Sequence, residues 1–141
     1  MIDTNLRGAY LKQAKLRKNI LVRKNKKNKM ENLLSLAKII LALSVAYVWI
    51  FRYDNVVKEF KQFGLNDVTR NIVGTSKIAL ATLLIAGIWY SSLVQIPAIL
   101  MGLLMIAAQY FHFKIKNPFI KHLPSLILLI LSAVITLGSI N

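Results

Sequence analysis

Lys77, Gln109, His112, Tyr47 and Ser125 are the residues of this chain whose types could do chemistry away from water. Lysine and imidazole donate to anions or carbonyls, an amide donates and accepts, and a phenol or hydroxyl bridges two partners. Counted from the chain ends of their apolar stretches, Tyr47 lies about five residues inside one shared boundary and Gln109 about four. Ser125 lies about two to five inside it and Lys77 about five to eight, so at ~1.5 Å per residue the four share a depth within roughly two turns. His112 and Arg70 sit just nearer the surface. Ionisable groups at such depth are site candidates, because an unsatisfied charge there is costly. The set suits the head group of a quinone or another amphiphile, with Lys77 and His112 as donors. A plainer reading stands beside it. Lys77 is close enough to the interface to snorkel, His112 reads as interfacial, and Gln109 and Tyr47 can bond across helices. Lys38, one turn inside the opposite boundary, also reads as a snorkelling lysine.

The elements that must position these residues are four apolar stretches, Leu33–Phe51, Ile72–Tyr90, Leu93–Phe113 and Leu123–Ile140. Each is about 18 to 21 residues long, enough to cross a ~30 Å hydrocarbon layer as a helix. A soluble helical protein is excluded, since the stretches hold too few polar residues to build an outer face. The expected fold is all-α: an up-down-up-down four-helix transmembrane bundle. Ser91-Ser92 forces a tight hairpin between the second and third spans. Pro124 suits the first turn of the last helix. Gly74, Gly87, Gly102, Ala107 and Ala108 allow close helix approach. Between the first two spans, Val56, Val57, Phe60 and Phe63 oppose Lys58, Glu59 and Lys61. This predicts a short interfacial helix with its phenylalanines in the acyl boundary, capped by Asp54 and ended by Gly64. Asp67 is expected to cap the second span, and Trp49, Phe51 and Tyr53 to form an aromatic belt.

Residues 1–30 differ from the rest. They hold ten Lys/Arg against one acid, Asp3, in a chain of net charge +14. Ile2, Leu6, Tyr10, Leu16 and Ile20 recur loosely at helical spacing, which suits a basic amphipathic helix on the membrane surface. Arg23–Lys29 reads as a solvated linker. Attraction to anionic lipid head groups accounts for the charge more simply than nucleic acid does. Met30 directly precedes the first span, so a native start there, with a gene-start artefact upstream, is a competing expectation. The chain divides as a 1–30 tail and a 31–141 transmembrane domain. No cleavable signal peptide is evident. With no cysteine there is no thiol chemistry, and His112 and His122 alone make no metal site. No acid lies within the spans, which argues against a pump or a cation-coupled carrier.

Three segments carry a resemblance: Phe60-Lys61-Gln62-Phe63-Gly64-Leu65-Asn66, Val73-Gly74-Thr75-Ser76-Lys77 and Ala107-Ala108-Gln109-Tyr110-Phe111-His112. Together they resemble the DoxX-like family of small bacterial membrane proteins over about residues 33–138. Asn66 stands where the family often has proline, and the basic tail has no counterpart. The resemblance implies a four-helix bundle in the bacterial plasma membrane. It points at Gly64, Gly74, Lys77 and His112. The family name derives from a subunit of a thiosulfate:quinone oxidoreductase, so a membrane oxidoreductase partner is implied.

The leading functional expectation is a non-catalytic or accessory membrane protein, supporting a membrane redox system and needing no cofactor. The alternative is a quinone- or lipid-binding subunit, and a small-solute carrier is the third reading. For orientation, Arg52, Lys58, Lys61, Arg70, Lys114, Lys116 and Lys121 place both loops in the cytoplasm, and the cationic tail opposes that arrangement.

Overall fold

The computed structural model describes residues 2–140, and the side chains of Ile2 and Asp3 lie outside that description. Five α-helices follow in order: α1 Ile2–Phe51, α2 Tyr53–Gln62, α3 Asp67–Ala86, α4 Gln95–Lys114 and α5 Phe119–Ile140. Segments of α1, α3, α4 and α5 are long and apolar enough to cross a membrane. The protein is an all-α, multi-pass membrane protein.

The chain forms two compact units, Met1–Leu33 and Leu34–Asn141. In the first, residues 4–33 are helical and exposed. The run Arg23–Lys29, expected to be a linker, is helical throughout. It lacks proline and glycine, and Lys and Arg are good helix formers, so little opposes the helix there.

In the second unit, one stripe of each spanning helix is buried. α1 contributes Ala37, Leu41 and Val45; α3 Leu80, Ala81 and Leu84; α4 Ala98, Met101 and Met105; α5 Leu128 and Ile135. The spacings within each set (one, three, four or seven residues) keep it on one face of a 3.6-residue helix. Leu103, Ile106, Ile127 and Val134, on the outer faces, are exposed apolar residues suited to lipid. Small residues set the approach. A Cβ on Gly74 would overlap the Trp49 ring, and one on Gly138 would overlap the Leu34 side chain. Trp49 is therefore wedged inward against α3 rather than joining the expected belt. Lys38 also differs from its expected snorkelling. It is 8% exposed, and its Nζ donates to the Gly87 carbonyl at the C-terminal end of α3 (3.4 Å). A cation there meets the negative end of the helix dipole.

Helix ends depart from expectation by a few residues, for local reasons. α3 begins at Asp67 because Asn66, not Asp67, is its cap: Asn66 Oδ1 accepts from the Thr69 amide (2.9 Å). Asp67 instead pairs with Arg70 (2.6 Å). α2 has no side-chain cap, so Asp54 sits in its first turn without that role. α3 ends at Ala86, and the hairpin runs through a short 3₁₀ turn, Ser91–Leu93, before α4. α5 begins at Phe119, directly after Pro118, which leaves Pro124 inside the helix rather than in its first turn. A proline there cannot donate to the carbonyl four residues earlier, that of Ile120.

The two loops on the Lys77 side end in matching C-terminal motifs. After α2, Leu65 donates to Phe60 O and Gly64 to Lys61 O, with Gly64 at φ 73°. After α4, Asn117 donates to His112 O and Lys116 to Phe113 O, with Lys116 at φ 54°. Both are Schellman arrangements, which stop the helix and turn the chain sharply. They return α2 and the α4–α5 connection onto the same end of the bundle.

Candidate functional site

Between α1–α5, at the end where these loops lie, is a cavity of about 470 Å³. Val45, Val48 and Trp49 line it from α1, Lys77 from α3, Phe111 and His112 from α4, and Lys121, Pro124 and Ser125 from α5. The remaining wall is α2, through Val56, Glu59, Phe60 and Phe63. These four residues fall at i, i+3, i+4 and i+7, one helical stripe. Phe63 stacks on Phe111 (centroids 5.4 Å apart) and meets His112 edge-on (5.2 Å). The α2 phenylalanines thus turn onto the bundle, which corrects the expectation that they face the acyl boundary. Aromatic partners on α4 offer more contact than lipid tails do.

Beside the cavity runs a chain of buried hydrogen bonds. Gln109 Nε2 donates to the His122 carbonyl and to Ser125 Oγ, both at 2.9 Å. The amide nitrogen being fixed by a carbonyl, Gln109 Oε1 is the atom that meets His122 Nδ1 (2.9 Å), and Nδ1 carries the proton in that bond. His122 Nε2 lies 3.2 Å from the Asn117 carbonyl. Asn117 Nδ2 in turn donates to His112 Nδ1 (2.8 Å). In a neutral ring the His112 proton then sits on Nε2, which leaves that N–H as the ring's donor. Both histidines are 5% exposed, so His112 is not the interfacial residue expected.

The five expected site residues separate into groups. Lys77, His112 and Ser125 line the cavity. Gln109 lies behind Ser125 and braces it. Tyr47 does not join them. It is 55% exposed, and its ring packs on Phe51, one turn along the outer face of α1. Its depth agrees with the others, but the turn of α1 that brings Val45 and Trp49 inward aims Tyr47 outward. Arg70 is held away from the cavity by Asp67 and by the Tyr53 ring, 5.6 Å from its guanidinium carbon.

Glu59 is the residue that sequence reasoning missed. Its charge groups it with Lys58 and Lys61 on a polar face, yet it shares the stripe of Val56, Phe60 and Phe63. Burial pushes its carboxyl above the ordinary value, and Lys121, Arg52 and Lys77 pull the other way. Arg52, Lys58, Lys77 and Lys121 are the basic residues on the wall, against this one acid. None of the five is in an ion pair at bonding distance among the described residues. His122 was missed as well; ten residues from His112, it gave no spacing signal.

Residues 33–135 match the model of the DoxX-like family. The chain belongs to the DoxX-like family. The match reaches into all four spans of this DoxX-like protein, ending within α5, and takes in every residue of the cavity wall. No curated protein and no solved structure matches the chain. Among the described residues, no cluster of three or more His, Asp or Glu is placed to hold a metal ion.

Proposed function

We propose that this DoxX-like protein is a non-catalytic protein of the bacterial plasma membrane whose cavity holds the polar head of an amphiphile, a quinone or a lipid. The observation that carries the reading is the cavity itself. It is apolar and aromatic over much of its wall, and it carries Lys77 and His112 as donors, neither of them bonded to an acceptor at the wall among the described residues. Ligand sites combine such apolar lining with a few placed polar groups. The cavity moves the binding reading ahead of a purely accessory role. A small-solute carrier gains nothing from it. Service to a membrane oxidoreductase rests on the family resemblance alone.

Trp49 lines the cavity, whereas Trp89 is 74% exposed and outside it. With Trp89→Phe as background, Trp49 emission reports occupancy. Titration with decylubiquinone or with phospholipid is expected to give a saturable change for at least one of them. Lys77→Met should abolish that change while the helical content stays at the parent's level. No saturable change with any titrant would leave Lys77 a snorkelling lysine and the cavity an unused packing defect.

A further inference from the structure

Resting on the reading of the cavity as a head-group site, we propose that it selects an anionic head group, a phosphate or a carboxylate, over a neutral one. Two observations carry this, charge and hydrogen-bond sense. Arg52, Lys58, Lys77 and Lys121 stand on the wall against Glu59 alone, and none of them is neutralised by an ion pair among the described residues. A partly enclosed wall of one sign concentrates ions of the other.

The hydrogen-bond sense points the same way. A lysine ammonium has donors and no acceptor. His112 has its Nδ1 lone pair taken by Asn117 Nδ2, so its remaining group is the Nε2 donor. Lys77, the deepest basic group on the wall, and His112 therefore both ask for an acceptor. A phosphate or carboxylate oxygen supplies several acceptors with charge, and charge-assisted bonds are the stronger kind. A quinone carbonyl supplies one, with none. Val45, Trp49, Phe60 and Leu128 offer apolar surface to whatever the head group is attached to.

Glu59 gives the proposal its sharpest test, because its carboxylate competes with an anion for the same lysines. The full chain is placed in phosphatidylcholine nanodiscs at pH 8, in the Trp89→Phe background, and Trp49 emission is followed. The titrants are dioleoylphosphatidylglycerol by mole fraction, inorganic phosphate and decylubiquinone. Phosphatidylglycerol is expected to saturate the signal. Glu59→Gln should lower its half-saturation at least threefold, Lys77→Met raise it at least tenfold, and Lys77→Arg leave it within threefold of the parent. Saturation by inorganic phosphate as well would support the anion and assign it a soluble source. Attraction of the basic tail to the same lipid is untouched by these substitutions, so an equal response in all variants would overturn the proposal. So would saturation by decylubiquinone alone, with Glu59→Gln neutral or weakening; that result keeps the head-group site and rejects its charge. Silence with all three titrants rejects the site itself.

Discussion

At the scale of single residues, Glu59 is a carboxyl through which pH reaches the cavity end. Its carboxyl is raised by burial, so the folded protein holds that proton to a higher pH than the unfolded chain does. The contribution to stability is then complete below the ordinary value of 4.5 and is lost as pH climbs through the raised one. Thermal unfolding in detergent should show the parent's midpoint falling across that window. Glu59→Gln should flatten the fall and leave the variant the more stable of the two at neutral pH; parallel curves would show that Glu59 is not the group responsible. Depth was legible for Lys77, Gln109, His112 and Ser125, because counting along a helix needs only the rise per residue. Azimuth was not. Tyr47 has the right depth and the wrong side of α1, and only the packing of Val45 and Trp49 decides which side faces in. Glu59 was hidden for another reason: its charge outweighed its place on the Val56, Phe60 and Phe63 stripe.

Among elements, the α1–α3 contact depends on one glycine. A methyl at Gly74 would overlap the Trp49 ring, a broad group with few ways to retreat. Gly74→Ala should cost about 1–3 kcal/mol, as overpacking does. Trp49→Phe in the same chain should return most of that loss, and an additive double mutant would place the strain elsewhere. The four spanning helices and their order were legible from hydropathy, and Gly64 was legible as the stop of α2; the fusion of the tail with the first span was not. Helix ends were not legible to the residue, because competing caps stand side by side. Asn66 takes the role open to Asp67, and the boundary expected at Pro124 falls at Pro118. The cap is set by which side chain reaches a free amide first, a matter of backbone angle rather than residue type.

For the molecule as a whole, membrane orientation is a contest between two charge signals. Arg52, Lys58, Lys61, Arg70, Lys114, Lys116 and Lys121 lie on or beside the loops at the cavity end, and the hairpin and C-terminal segment carry no basic residue. That asymmetry draws the cavity end to the cytoplasm. Ten basic residues before Met30 resist translocation, at ~2.3 kcal/mol per charge per 100 mV. A C-terminal reporter is expected to read inside in the full chain and outside in a truncation beginning at Met30. Identical readings would mean that the tail does not set orientation. Either outcome also says which compartment the cavity opens toward.

The close packing of the other half of the bundle has an electrical consequence. By position along their helices, Leu41, Leu84, Met101 and Ile135 lie toward the end away from the cavity, and each is 0% exposed. An ion reaching the cavity floor meets these aliphatic side chains, and the buried Ser132 hydroxyl among them is already bonded to the Leu129 carbonyl, so among the described residues too few oxygens stand there to replace its hydration. Planar bilayers containing the protein should therefore show no unitary current under either polarity, and a steady conductance would mean that this layer opens. Transmembrane voltage falls where the medium is least polarisable, which here is the aliphatic half. The cavity accordingly sits close to the potential of the solution it faces, and a charged head group entering it crosses little of the membrane field. Its occupancy should be set by concentration and local charge, and should be almost unaffected by whether the cell is energised.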